Sequence, residues 1–150
     1  MRELLQSVAI GDLDAFDELT QQTCHQGSVS EVAFAAVPHL VEIARAAPAT
    51  ERSARALVLV GWIVASREID AGEPCPPDLE TDYSAALPVA RALAAGALQS
   101  AVEDPIARWL LFGALAALHQ QPDLAYHMML SGPDLSCPEC GEPIRFRVPR

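Results

Sequence analysis

Ala35-Ala36-Val37-Pro38 is answered fifty residues later by Ala85-Ala86-Leu87-Pro88. Each copy sits in a helical pattern, followed by a break and a second apolar run centred on a glycine. Those second runs are Arg55-Ala56-Leu57-Val58-Leu59-Val60-Gly61-Trp62 and Arg108-Trp109-Leu110-Leu111-Phe112-Gly113-Ala114. A period near fifty that holds two helices is the mark of helix pairs packed side by side. This stretch decides the fold class. The chain reads as all-α, built from stacked helix hairpins.

Outward from that core the pattern stays helical. Helices are expected over 2–9, 13–24, 31–46, 51–69, 82–99, 105–119 and 122–131, and in the second of them Leu13, Phe16, Leu19 and Thr20 fall on one face at i, i+3 and i+4 spacing. Gly11-Asp12 breaks the first two helices, and Asp12 or Asp14 can cap the second. His25-Gln26-Gly27-Ser28 reads as a turn, with Ser28 or Ser30 capping the helix after it. Pro38 and Pro88 fall inside helices, where each removes one hydrogen bond and bends the rod. Pro105 opens its helix, where a missing N–H is harmless. Ala56 to Ala65 is apolar on every side and is expected to be buried against both neighbours. Residues 70–81 hold three prolines and no helical pattern, so they read as the longest loop. From Asp134 the character changes. Cys137-Pro-Glu-Cys140-Gly141 is a tight turn, and Ile144-Arg145-Phe146-Arg147-Val148 alternates like a short strand. Two regions follow: a helical domain over 1–131, and a cysteine knuckle or hairpin over 132–150.

Composition narrows the function. The formal net charge is −10, and aromatics are 5% of the residues. That balance repels nucleic acid and anionic membranes, offers no aromatic platform for bases, and attracts a basic partner. No apolar run reaches the roughly 18 residues of a membrane span. Met1-Arg2-Glu3 opens a polar helix rather than a signal peptide, and four cysteines with one Cys-x-x-Cys do not make a secreted framework. The expected location is the cytoplasm.

The two helix pairs resemble HEAT-type repeats. The residues that carry the likeness are Pro38 and Pro88, the acids Glu51 and Asp104, and Arg55 and Arg108 early in the second helices. The segment Cys24-His25-Gln26-Gly27-Ser28-Val29, running into Ala35-Ala36-Val37-Pro38-His39-Leu40, also resembles a largely actinobacterial family of HEAT-like proteins of unassigned function. Some members of that family sit in toxin–immunity settings. The resemblance spans about residues 13–120 and implies a protein-binding surface, because helical repeats serve many unrelated partners.

Candidate sites are few. Glu68, Asp70, Glu73, Asp78, Glu80 and Asp82 form an acidic, proline-stiffened stretch with no basic residue among them. It is a contact for a basic protein or simply a solvated connector. Cys137 and Cys140 have knuckle spacing but supply only two of the four ligands that zinc takes. His127, His119, Cys24 with His25, or Cys75 could complete the set, and His127 is the preferred addition. A disulfide, free thiols or a site shared between chains account for the same motif. Cys24 beside His25 has the residue types of a thiol nucleophile and base, but sequence neighbours on one helix end do not face each other across a cleft. His25 and His39 are more simply partners for local backbone groups. Glu51–Arg55 and Asp104–Arg108 have the i, i+4 spacing of helix ion pairs, or could link into a ladder between repeats. No phosphate loop, His-Glu-x-x-His or serine elbow is present.

The expectation is therefore a non-enzymatic module that binds a basic protein, immunity-like or adaptor-like, through its repeat surface and the acidic 70–82 stretch. A small metal- or thiol-dependent enzyme using Cys137 and Cys140 is the alternative. An oligomeric scaffold, paired through an apolar face carrying Trp62 and Trp109, is a third.

Overall fold

The computed structural model describes residues 2–25, 28–48, 50–69, 74–99 and 104–131. Among them are seven helices and one pair of two-residue strands. Helix α1 spans Arg2–Ile10 and ends at Gly11, which takes the left-handed φ of 93°. The Gly11 N–H then donates to the Val8 carbonyl and the Asp12 N–H to the Ser7 carbonyl, so the end of α1 is closed by backbone. Asp12 caps α2 (Leu13–Thr23), its side chain accepting from the N–H groups of Asp14 and Ala15. Strands β1 (Cys24–His25) and β2 (Ser28–Val29) pair antiparallel, with Cys24 opposite Val29.

Ser30 occupies the N-cap position of α3 (Glu31–Ala46) without capping through its side chain. Its hydroxyl instead donates to the Gln22 carbonyl at 2.8 Å, tying α2 to the start of α3. Helix α4 covers Glu51–Ile69, and Thr50 accepts from the Ser53 N–H at its start. Helices α5 (Pro77–Gln99), α6 (Pro105–Leu118) and α7 (Pro122–Ser131) complete the chain. Helices α3 and α5 run through Pro38 and Pro88 without interruption.

One boundary differs from the sequence reading. Helix α5 begins at Pro77, five residues before the expected start at 82. Proline lacks the N–H that is orphaned at a helix start anyway. The Leu79 and Glu80 N–H groups donate to the Pro76 carbonyl, and Asp78 and Glu80 lie at the positive end of the helix. The prolines read as a break are in part the beginning of a helix.

Packing follows the pairing of like with like. Helix α3 lies on α4 and on α5, α4 on α6 and α7, and α6 on α5 and α7. The first helices of the two pairs are neighbours, and so are the second helices. As expected, α4 is buried on most of its circumference, from Ala54 to Ser66. Helix α5 buries Tyr83, Ala86, Ala90, Ala94 and Ala97, a stripe of mostly small residues at three- and four-residue spacing. Phe34 of α3 meets Tyr83 of α5 edge to face at 5.3 Å. Arg67 of α4 covers both rings, its guanidinium carbon 5.5 Å and 5.2 Å from their centroids. The N-terminal pair joins this body through the buried Leu5, Val8, Phe16 and Leu19. Arg52 of α4 adds a bond by donating to the Ala9 carbonyl, one of the acceptors left free at the end of α1.

No helix among the described residues is long and apolar enough to cross a membrane. The expected Cys-x-x-Cys knuckle, with Cys137 and Cys140, lies outside the described residues.

Candidate functional site

Helical periodicity on three elements builds a groove. On α4, Glu51, Ala54, Arg55, Val58, Leu59 and Trp62 recur every three or four residues and face one side. On α2, Phe16, Asp17 and Thr20 do the same. The start of α6 adds Asp104, Ile106, Ala107 and Leu110, and α7 adds Met129. Together they enclose about 390 Å³. A shallower hollow of about 290 Å³ extends it past Ile10 and Leu13, sharing Phe16, Glu51 and Arg55. Three aliphatic side chains stand out of water's way poorly here: Ile10 is 82% exposed, Leu13 51% and Ile106 57%.

The rim is acidic. Asp17 is exposed on α2. Glu51 accepts from Arg55 at 2.9 Å, the i, i+4 pair expected from the sequence, and the Glu51 side chain remains 72% exposed. Asp104 accepts from the Ile106 N–H at 2.9 Å and so serves as the α6 cap. It forms no ion pair with Arg108 among the described residues, and no ladder of charges links the two helix pairs there. Three carboxylates and one guanidinium therefore line the larger hollow, Arg52 adds a second guanidinium in its extension, and both guanidinium groups are already engaged, Arg55 by Glu51 and Arg52 by the Ala9 carbonyl.

The wall opposite α2 is fixed by aromatic contacts. Trp62 stacks on Tyr126 of α7 with centroids 5.7 Å apart. The Trp109 indole N–H donates to the Met128 carbonyl at 2.9 Å, which holds α7 against α6. Both tryptophans thus brace α7.

The sequence-based site residues fall elsewhere. Glu68 is exposed near the end of α4, and Asp78, Glu80 and Asp82 lie on the first two turns of α5. None of them lines the groove. Ser84 donates to Glu80 at 3.0 Å, and that bond, then the Cys75 thiol, hold the Glu80 carboxyl below the usual range. Asp70 and Glu73 lie outside the described residues.

The thiols within reach are shielded. Cys24 is buried, and burial pushes its pKa to about 12, with Thr23 pulling slightly the other way. Cys75 is buried beside Glu80, and burial first, then that carboxylate, raise it to about 11. Such thiols are held protonated, the opposite of an activated nucleophile. His39, His119 and His127 are all exposed. Among the described residues, no three of His, Cys, Asp and Glu converge as metal ligands.

Sequence reading missed the groove because its members come from four separate helices. The signal within reach was the α4 stripe, in which Glu51, Arg55, Val58 and Trp62 share a face. Comparison with protein-family models, curated proteins and solved structures finds no match to this chain.

Proposed function

We propose that this chain is a protein-interaction module, built of HEAT-like stacked helix hairpins, that binds a basic protein partner. The observation that carries the reading is the groove between α2, α4, α6 and α7, apolar within and rimmed by Asp17, Glu51 and Asp104. An amphipathic basic segment suits such a groove, with apolar anchors for the floor and cations for the rim. The contacts of α3 with α5 and of α4 with α6 support the repeat architecture. The net charge of −10 supports a cationic partner, which it would steer toward the surface from a distance. The acidic start of α5, with Asp78, Glu80 and Asp82, serves as a second contact in this reading. Immunity-like neutralisation of a basic toxin is one form such binding takes.

The test is capture of a partner from the native host, followed by titration of the purified pair. Binding should weaken steeply as salt rises, and should fall on Asp17→Arg with Glu51→Arg. An acidic partner, or affinity indifferent to salt and to those reversals, overturns the proposal.

A further inference from the structure

We propose that the Ile144–Arg150 segment of this same chain occupies the acid-rimmed groove in cis. The segment reads Ile-Arg-Phe-Arg-Val-Pro-Arg and holds three of the chain's ten basic residues, with no acid after Glu142. The chain is otherwise strongly acidic, so its positive charge is concentrated here. An extended backbone places alternate residues on opposite sides. In sequence, apolar Ile144, Phe146 and Val148 alternate with Arg145 and Arg147, the pattern that suits an extended segment with one apolar and one cationic side. That is the chemistry the groove lacks: apolar groups for Phe16, Val58, Trp62 and Leu110, and cations for Asp17 and Glu51.

Connection favours this occupant over others. Met129 of α7 is part of the groove wall, and α7 ends at Ser131, two residues on. Twelve residues separate Ser131 from Ile144. Extended, they span up to roughly 40 Å, more than enough to reach a wall the same helix helps to form. A tether of that length gives an effective concentration in the millimolar range, so even a weak contact is populated. A separate basic partner binding the same groove must displace the segment, which makes the segment a built-in competitor. This consequence rests on the partner-binding reading, whereas the cis contact itself is measured on the isolated chain.

The test uses the full chain under reducing conditions with chelator. The variant R145E/F146A/R147E leaves every residue of the seven described helices unchanged. NMR should show the Met129 methyl and Trp62 indole signals moving between wild type and variant, while the Trp109 indole stays in place. A synthetic Ile144–Arg150 peptide should bind the variant at least about tenfold more tightly than the wild type. Combining D17R/E51R with R145E/R147E should restore the wild-type positions of the Met129 and Trp62 signals. Unmoved groove signals with equal peptide affinity overturn the proposal. Signals that revert to the variant positions when the wild type is diluted show a contact between two copies and overturn it too. Salt-sensitive binding of a basic partner alongside unmoved groove signals would leave the partner reading standing and sink only this one.

Discussion

Gly61 of α4 lies directly against Ala114 of α6, so closely that a Cβ at position 61 would stand 2.3 Å from the Ala114 Cα. No real Cβ tolerates such a contact with backbone, so Gly61→Ala must push α4 and α6 apart. Overpacking of this kind costs about 1–3 kcal/mol. Alanine returns up to about 1 kcal/mol in helix propensity. The expected net effect of Gly61→Ala is a loss of about 1–2 kcal/mol. Gly96 has nothing within 4 Å of its added Cβ. Gly96→Ala should therefore stabilise by about 0.5–1 kcal/mol. Gly113 would meet the Met129 side chain at 2.8 Å, and a flexible thioether can move aside. Gly113→Ala belongs between the other two. Urea unfolding of the three variants checks the order, and a stabilised Gly61→Ala would refute the close approach.

The two glycines also show how far the sequence was legible. Gly61 and Gly113 marked the centres of the second helices in each pair, and the reason emerges only in three dimensions. One admits α6 and the other admits α7. Helices α3 and α4 were readable to the residue because apolar spacing and the breaks around Pro48 and Ser30 agree. The start of α5 was not, since Pro76 and Pro77 signal a break and a helix start with the same letters. The groove was illegible for another reason. Asp17 and Glu51 are 34 residues apart, and nothing in either local pattern says they share a rim. Asp12 and Asp104 were identifiable as helix-start residues, but whether Asp104 would bind Arg108 or its own backbone was settled only by geometry.

Arg67 should act as a clamp on three helices. It sits on α4 over Phe34 of α3 and Tyr83 of α5. Partly desolvated cation–π contacts contribute about 0.5–2 kcal/mol. Arg67→Met keeps the stem's apolar cover and removes the charge, so it should lose an amount in that range. Tyr83→Ala removes a ring that is 1% exposed and should cost about 3–5 kcal/mol. A double mutant should lose less than the sum, because the two side chains contact each other. Strict additivity in thermal or chemical unfolding would show that the clamp carries no coupling.

Cys24 and Cys75 make stability depend on pH only on the alkaline side. Their folded pKa values are raised to about 12 and about 11 from an ordinary 9.0. A thiol that is raised on folding favours the folded state while it is protonated. The contribution is complete below pH 9.0 and is lost as pH climbs through the folded values. Between neutrality and pH 9.0 these two groups should leave the melting temperature unchanged, and above it the temperature should fall. In Cys24→Ala with Cys75→Ala that alkaline decline should be smaller. Below pH 9.0, alkylation of Cys24, mapped by mass spectrometry, should keep pace with unfolding. Rapid labelling of native Cys24 would contradict its burial.

Asp104 holds two roles that substitution can separate. Its carboxylate caps α6 through the Ile106 N–H and also contributes negative charge to the groove rim. Asparagine caps a helix about as well as aspartate, whereas alanine gives up about 1 kcal/mol. Asp104→Ala should therefore lower stability by that amount and weaken binding of a cationic segment at once. Asp104→Asn should keep the fold and lose only the charge. A basic peptide titrated into both variants and the wild type, beside their unfolding curves, tells the two roles apart. If Asp104→Asn binds as the wild type does while Asp104→Ala does not, the rim carboxylate matters through α6 alone. Its charge would then have no part in recognition, and attraction would fall to Asp17 and Glu51.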